Sequence, residues 1–135
     1  MPVDLRNEQR AVPLDVRRLK HQAERLLEEV GRPETVLSVL LTDDRRMAQL
    51  HERWMGEQGP TDVMSFPMSE AGILGDIVIS AETAARRRPK NPAGEVLRLL
   101  VHGLLHLVGY DHRFRAQRLR MDRRARLLRS RMEAA

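Results

Sequence analysis

The segment Glu95 to Val108, EVLRLLVHGLLHLV, is the most apolar run of the chain. Val96, Leu99, Leu100, Val101, Leu104, Leu105 and Val108 recur at helical spacing and leave little of the helix circumference polar. A helix apolar nearly all round belongs inside a core. It therefore requires cover from several directions, and the rest of the sequence has to supply it.

Upstream of this helix, Thr61 to Phe66 (TDVMSF) and Leu74 to Ser80 (LGDIVIS) read as strands that can pair, joined by the Pro- and Gly-punctuated PMSEAGI. Ala81 to Arg88 has helical character, with Pro89 and Pro92 as stops. Thr35 to Thr42 (TVLSVLLT) is β-branched and apolar and reads as a buried strand. Asp43 or Asp44 can cap a following helix that puts Met47, Leu50 and Trp54 on one face and ends at Gly56. Asp15 is an N-cap for an amphipathic helix carrying Val16, Leu19, Ala23, Leu26, Leu27 and Val30, with Gly31 as its stop. Val3 to Arg6 is a short strand candidate. A last helix, Arg113 to Arg131, bears a narrow stripe of Phe114, Met121, Ala125, Leu128 and Met132 in a very basic background. Strands alternate irregularly with helices, and most helices come late. The expected fold is α+β: a small mixed β-sheet of about four strands covered by helices, built as one domain over residues 1–135.

The core helix also carries histidines. His102, His106 and His112 fall within HGLLHLVGYDH, residues 102–112. Four residues apart on a helix, His102 and His106 lie within ~40° of each other and about 6 Å apart along the axis. Gly109 can take the left-handed conformation that ends the helix, and the chain then returns His112 towards the other two. A single histidine on an apolar face is usually a satisfied core side chain. Three together would each carry a burial cost of roughly 2–7 kcal/mol if unpartnered. A shared metal ion removes that cost. The chain has no cysteine, so the ligands are imidazoles. One Zn2+ held by His102, His106 and His112 with water in the fourth position is the expected centre, on the core helix and the turn after it, with Ni2+ or Cu2+ as less available rivals. The catalytic group is then the metal-bound water.

The spacing H-x3-H-x2-G-x2-H is that of a zinc-protease signature, yet Gly103 stands where that signature requires its glutamate base. This disfavours a zinc peptidase. A net charge of +5 and a pI of about 10.8 favour a polyanionic partner. Trp54, Phe66, Tyr110 and Phe114 are too few aromatics for a base-stacking platform of the OB or RRM type. No apolar stretch is long enough to span a membrane, and the N-terminal MPVDLRNEQR has no apolar signal core. A cytoplasmic protein without membrane contact is expected.

The eleven-residue histidine motif resembles the H-G-x-L-H-L-x-G-Y-D-H signature of the bacterial YbeY family. Pro60 to Pro67 (PTDVMSFP) and Leu74 to Ile79 (LGDIVI) are similar to two further family motifs, in the same order. The resemblance implies a metal-dependent, single-strand-specific endoribonuclease. Its family role is the maturation of small-subunit rRNA 3′ ends and ribosome quality control, with rRNA and the ribosome or its proteins as partners and no DNA. It also implies zinc on His102, His106 and His112. Family members carry an arginine after the aromatic residue that precedes P-T-D. Here Met55 follows Trp54, and Arg53 lies on its other side. Arg53 and Asp111 are thus the candidate catalytic side chains besides the metal, Asp111 by orienting His112 or a water. Asp62 and Asp76 are further carboxylates suited to a turn or to supporting a ligand. Arg53, Arg113, Arg115 and Arg118 are candidate RNA contacts. The alternative role is a non-catalytic assembly factor in which the metal staples the turn and the basic surface binds rRNA.

Overall fold

The computed structural model describes residues 2–56, 61–68, 70–110 and 114–134. Its elements run β1 (Val3–Asn7), α1 (Val16–Glu29), β2 (Val36–Thr42), α2 (Asp44–Met55), β3 (Val63–Pro67), β4 (Ile73–Ser80), α3 (Ala81–Arg87), α4 (Pro92–Leu107) and α5 (Arg115–Ala134). The sheet order is β1-β2-β4-β3. β1, β2 and β4 are parallel, and β3 returns antiparallel to β4. The expected α+β fold with a mixed sheet is the observed one. β3 forms an edge, which lets it end on Pro67 without losing an inner ladder bond.

Strand alternation divides the sheet into two unlike faces. Leu37, Val39, Leu41, Ile77 and Ile79 point to the large core built with α1, α4 and α5. Val78 and Met64 point the other way, to a small cluster with Met47 of α2. α4 is the helix of the large core: Val96, Leu97, Leu99, Leu100, Val101, Leu104 and Leu105 are all buried on it. At ~1.5–3 kcal/mol per fully buried aliphatic side chain, no other element contributes more apolar burial. Gly103 faces the sheet, where a Cβ would stand 3.1 Å from Ile77 Cγ2 and 3.4 Å from Val63 Cγ2. The missing side chain thus lets α4 lie close on β3 and β4.

Three sequence expectations change. The core helix begins before Glu95: Pro92, read as a stop after the preceding helix, opens it at the first position, where a proline has no hydrogen bond to lose. Asn91 caps that turn by accepting from the Gly94 amide at 3.0 Å. Trp54 does not join Met47 in the core; it is 62% exposed and stands edge-on to Phe66 of edge strand β3, ring centres 6.5 Å apart. Phe114 lies before α5 and is 63% exposed, so the buried stripe of that helix is Met121, Leu128 and Met132 with Ala125 beside it. α5 is described as Arg115–Ala134, and Arg113 lies outside the described residues.

Candidate active site

The last turn of α4 is closed by hydrogen bonds from Tyr110 N to Leu105 O at 2.9 Å and from Gly109 N to His106 O at 3.1 Å. This is the left-handed glycine stop that Gly109 promised, with φ of 105°. His102 and His106 stand one turn apart just before it, both partly exposed. Their ring centres are 4.8 Å apart at an interplanar angle of 74°. Two imidazoles sharing one ion at ~2.0–2.1 Å place their ring centres about 5 Å apart, so the pair fits a metal. Among the described residues no three His, Asp or Glu side chains converge as a metal cage. The expected third ligand, His112, lies outside the described residues, as does Asp111.

The two histidines line an open cleft of about 510 Å³ beside edge strand β3. Its other walls are Thr61 to Ser65 and, from α2, His51 and Met55. His51 and Met55 were not among the sequence candidates. The signal was present, because Met47, His51 and Met55 are spaced by four and share a helix face; reading the face as Met47, Leu50 and Trp54 passed over it. Arg53 sits in the last turn of α2 with its guanidinium 5.6 Å from the Trp54 ring centre, outside the lining of the cleft. Arg115 and Arg118 are exposed at the start of α5.

A chain of charged groups fixes β3 against α4. Asp62, on the cleft wall, accepts from the Val63 amide at 2.8 Å and from Arg87 Nη1 at 2.6 Å. Arg87 Nη1 also lies 3.7 Å from Glu95 Oε2. Glu95, 3% exposed, accepts two bonds from Arg98, 2.9 Å from Nε and 2.7 Å from Nη2. Burial opposes ionisation of Asp62, but its bonds from Arg87 and Val63 prevail and hold the carboxyl below its ordinary value. The Arg98 fork does the same for Glu95 against a smaller burial penalty. In the structure Asp62 is held by the Val63 amide and the Arg87 ion pair. Asp76 shares its sheet face with Val78 and so points to the α2 side, away from α4.

Both depressed carboxylates contribute stability that is fully present above their ordinary pKa and is lost as pH falls through the lowered folded value. The free energy of unfolding should therefore decline on acidification below about pH 4. Glu95→Gln should be less stable than wild type at neutral pH and show a shallower acid limb, measured by urea unfolding across pH. An unchanged acid limb in that variant would remove Glu95 from the account.

With this geometry, the chain can be set beside known proteins. A family model described as Endoribonuclease YbeY matches residues 4–133. The chain belongs to the YbeY family. Among curated YbeY relatives, the Endoribonuclease YbeY of Thermobifida fusca is 46% identical over 127 residues, covering 83% of this chain and 81% of that protein. That of an Anaeromyxobacter species is 46% identical over 115 residues, covering 80% of this chain and 60% of the longer relative. In fold, the chain is similar to a Thermotoga maritima protein solved in solution, with a TM-score of 0.63 and 22% identity over 98% of this chain and 92% of that one. For this YbeY member, the family match covers every element that builds the cleft.

Proposed function

We propose that this protein is a zinc-dependent endoribonuclease that cuts single-stranded RNA in the maturation of small-subunit rRNA 3′ ends and in ribosome quality control. Residues 1–135 would act as one domain in the cytoplasm. The observation that carries the reading is the His102–His106 pair on α4, set at metal-sharing distance and lining an open cleft of about 510 Å³. Membership of a family described as endoribonucleases supports the choice of RNA. The basic character of the chain suits a substrate whose affinity comes from phosphate neutralisation.

His102 and His106 would hold the ion together with His112. When bound, the ion supplies charge stabilisation at a phosphoryl oxygen and makes a water acidic enough to attack near neutral pH. The protein's own side chains do the positioning. The Asp62–Arg87–Glu95–Arg98 chain locks the start of β3 onto α4, so the wall facing the histidines keeps its distance from them. Outside the cleft lining, Trp54 and Arg53, which precede Met55 in the chain, stack a cation on an exposed ring, a pair suited to a base and its phosphate. Gly103 faces Ile77 and Val63 rather than the cleft, so no side chain at that position can serve as a peptidase base.

The test is cleavage of a defined single-stranded RNA by protein whose metal content has been assayed. Cutting should stop on chelation and return on adding Zn2+, with a duplex of the same sequence resistant. Cutting that persists through chelation overturns the metal requirement. Absence of cutting by every zinc-loaded preparation overturns the nuclease and leaves the metal-stapled assembly factor.

A further inference from the structure

α5 carries arginines on two sides, and the structure separates their uses. Arg124 Nη2 donates to Glu29 O at 2.8 Å, and Arg131 pairs with the Glu29 carboxylate. Those two fasten α5 to α1. Arg123, Arg126 and Arg129 instead line a groove of about 370 Å³ between α5 and α4, together with Arg98 and His102. Beyond it a second depression of about 610 Å³, sharing Arg126 and Arg129, continues to Arg88 just before α4. The two depressions form one path, because Arg126 and Arg129 line both, His102 stands at one end and Arg88 at the other. From Leu119 to Arg129 alone it extends about 15 Å at 1.5 Å per residue.

The charge on this path is one-sided. Arg98 is engaged by Glu95, which leaves Arg88, Arg123, Arg126 and Arg129 against Asp122 and Glu133 on the walls. Gathering guanidinium groups along one groove costs folding energy through mutual repulsion, and a bound polyanion offsets it. His102 lines both this groove and the histidine cleft. A strand lying in the groove would therefore be led to His102 at its end.

We infer that the α4–α5 groove is the track of the RNA backbone, with Arg123, Arg126 and Arg129 holding phosphates of the single strand whose next linkage enters the His102–His106 cleft. This rests on the endoribonuclease reading. It assigns the binding work to the middle of α5 rather than to its first turn.

The test uses a short labelled single-stranded oligoribonucleotide in a salt series, with the full chain. The triple variant Arg123→Gln, Arg126→Gln, Arg129→Gln keeps good helix formers at all three positions, and circular dichroism checks its fold. Its affinity at ~0.1 M salt should fall roughly tenfold to hundredfold. The slope of log affinity against log salt should shrink by about 2, the share of three phosphates. The corresponding Lys triple should keep most of the slope. A charge-matched control at exposed Arg10, Arg17 and Arg32, also changed to Gln, should keep it too. Equal losses in the groove and control triples would reduce the effect to net charge and overturn the track. So would a groove triple that binds RNA normally but no longer adheres to phosphatidylglycerol vesicles. If the groove triple does not fold, the single reversal Arg126→Glu gives the same contrast, and wild-type affinity in it overturns the inference. Wild-type protein that cleaves RNA while the groove triple binds it unchanged removes the groove alone. Wild-type protein that neither binds nor cleaves removes the endoribonuclease reading beneath it.

Discussion

Replacing His106 by alanine should lower RNA cleavage by about a hundredfold or more while the metal-free protein unfolds within a few degrees of wild type. The size follows from what a metal site supplies: several kcal/mol of transition-state stabilisation, where ~3 kcal/mol already corresponds to ~10²-fold in rate. The small structural effect follows from position. His106 is partly exposed on the last full turn of α4, and alanine is the best helix former, so the apolar packing of Leu104 and Leu105 stays in place. The measurement is single-turnover cleavage of one defined RNA by the two proteins, purified identically and loaded with the same metal. A variant that cuts as fast as wild type would move the chemistry elsewhere, and the paired histidines would then be a structural feature of the turn. A non-catalytic assembly factor has a different signature, in which neither protein cuts and the metal raises the thermal midpoint of wild type alone.

The second large effect concerns Gly103, and its direction runs against the motif. Restoring the glutamate of the zinc-protease signature, Gly103→Glu, should destabilise the protein by about 4 kcal/mol or more and confer no peptide hydrolysis. Even a Cβ at this position meets Ile77 at 3.1 Å. A longer side chain overpacks the contact between α4 and the sheet, which typically costs 1–3 kcal/mol. It would also carry a carboxylate among Ile77 and Val63, where an unpaired charge costs several more. Gly103→Ala should fall between, near zero to 2 kcal/mol, since the gain in helix propensity offsets part of the strain. Urea unfolding of the three proteins reads these values. Near-wild-type stability of Gly103→Glu, with metal-dependent cleavage of peptides, would return the peptidase to consideration.

Sequence periodicity was most informative where one face or the whole circumference of an element had to be buried. α1, β2 and α4 were legible because their apolar spacing admits a single secondary structure, and Gly31 and Gly109 marked their stops. Trp54 and Phe114 were misassigned to buried stripes because periodicity reports what a face can bury. Whether another element lies opposite is a separate fact. Pro92 was read only as a stop after Ala81 to Arg88; that it also begins the core helix was not seen, because a proline suits both places and the Asn91 cap distinguishes them. At the site, His102 and His106 were legible from their spacing of four. The partnership of Asp62, Arg87, Glu95 and Arg98 was not, although Glu95 and Arg98 were conspicuous as a charged pair three apart in an apolar helix.

By itself, the sequence determined that α4 is a core helix and that His102 and His106 share one of its faces. Both follow from the 3.6-residue repeat, which is local and set by the backbone. Only the tertiary structure decided what faces those histidines. It placed β3 at the sheet edge so that a cleft stays open, brought His51 and Met55 in from α2, and turned Gly103 to the sheet. It also divided the arginines of α5 between a clamp on α1 and a groove on α4. Residues far apart in the chain meet according to strand order and helix crossing, and these are set by the packing of all the apolar faces at once.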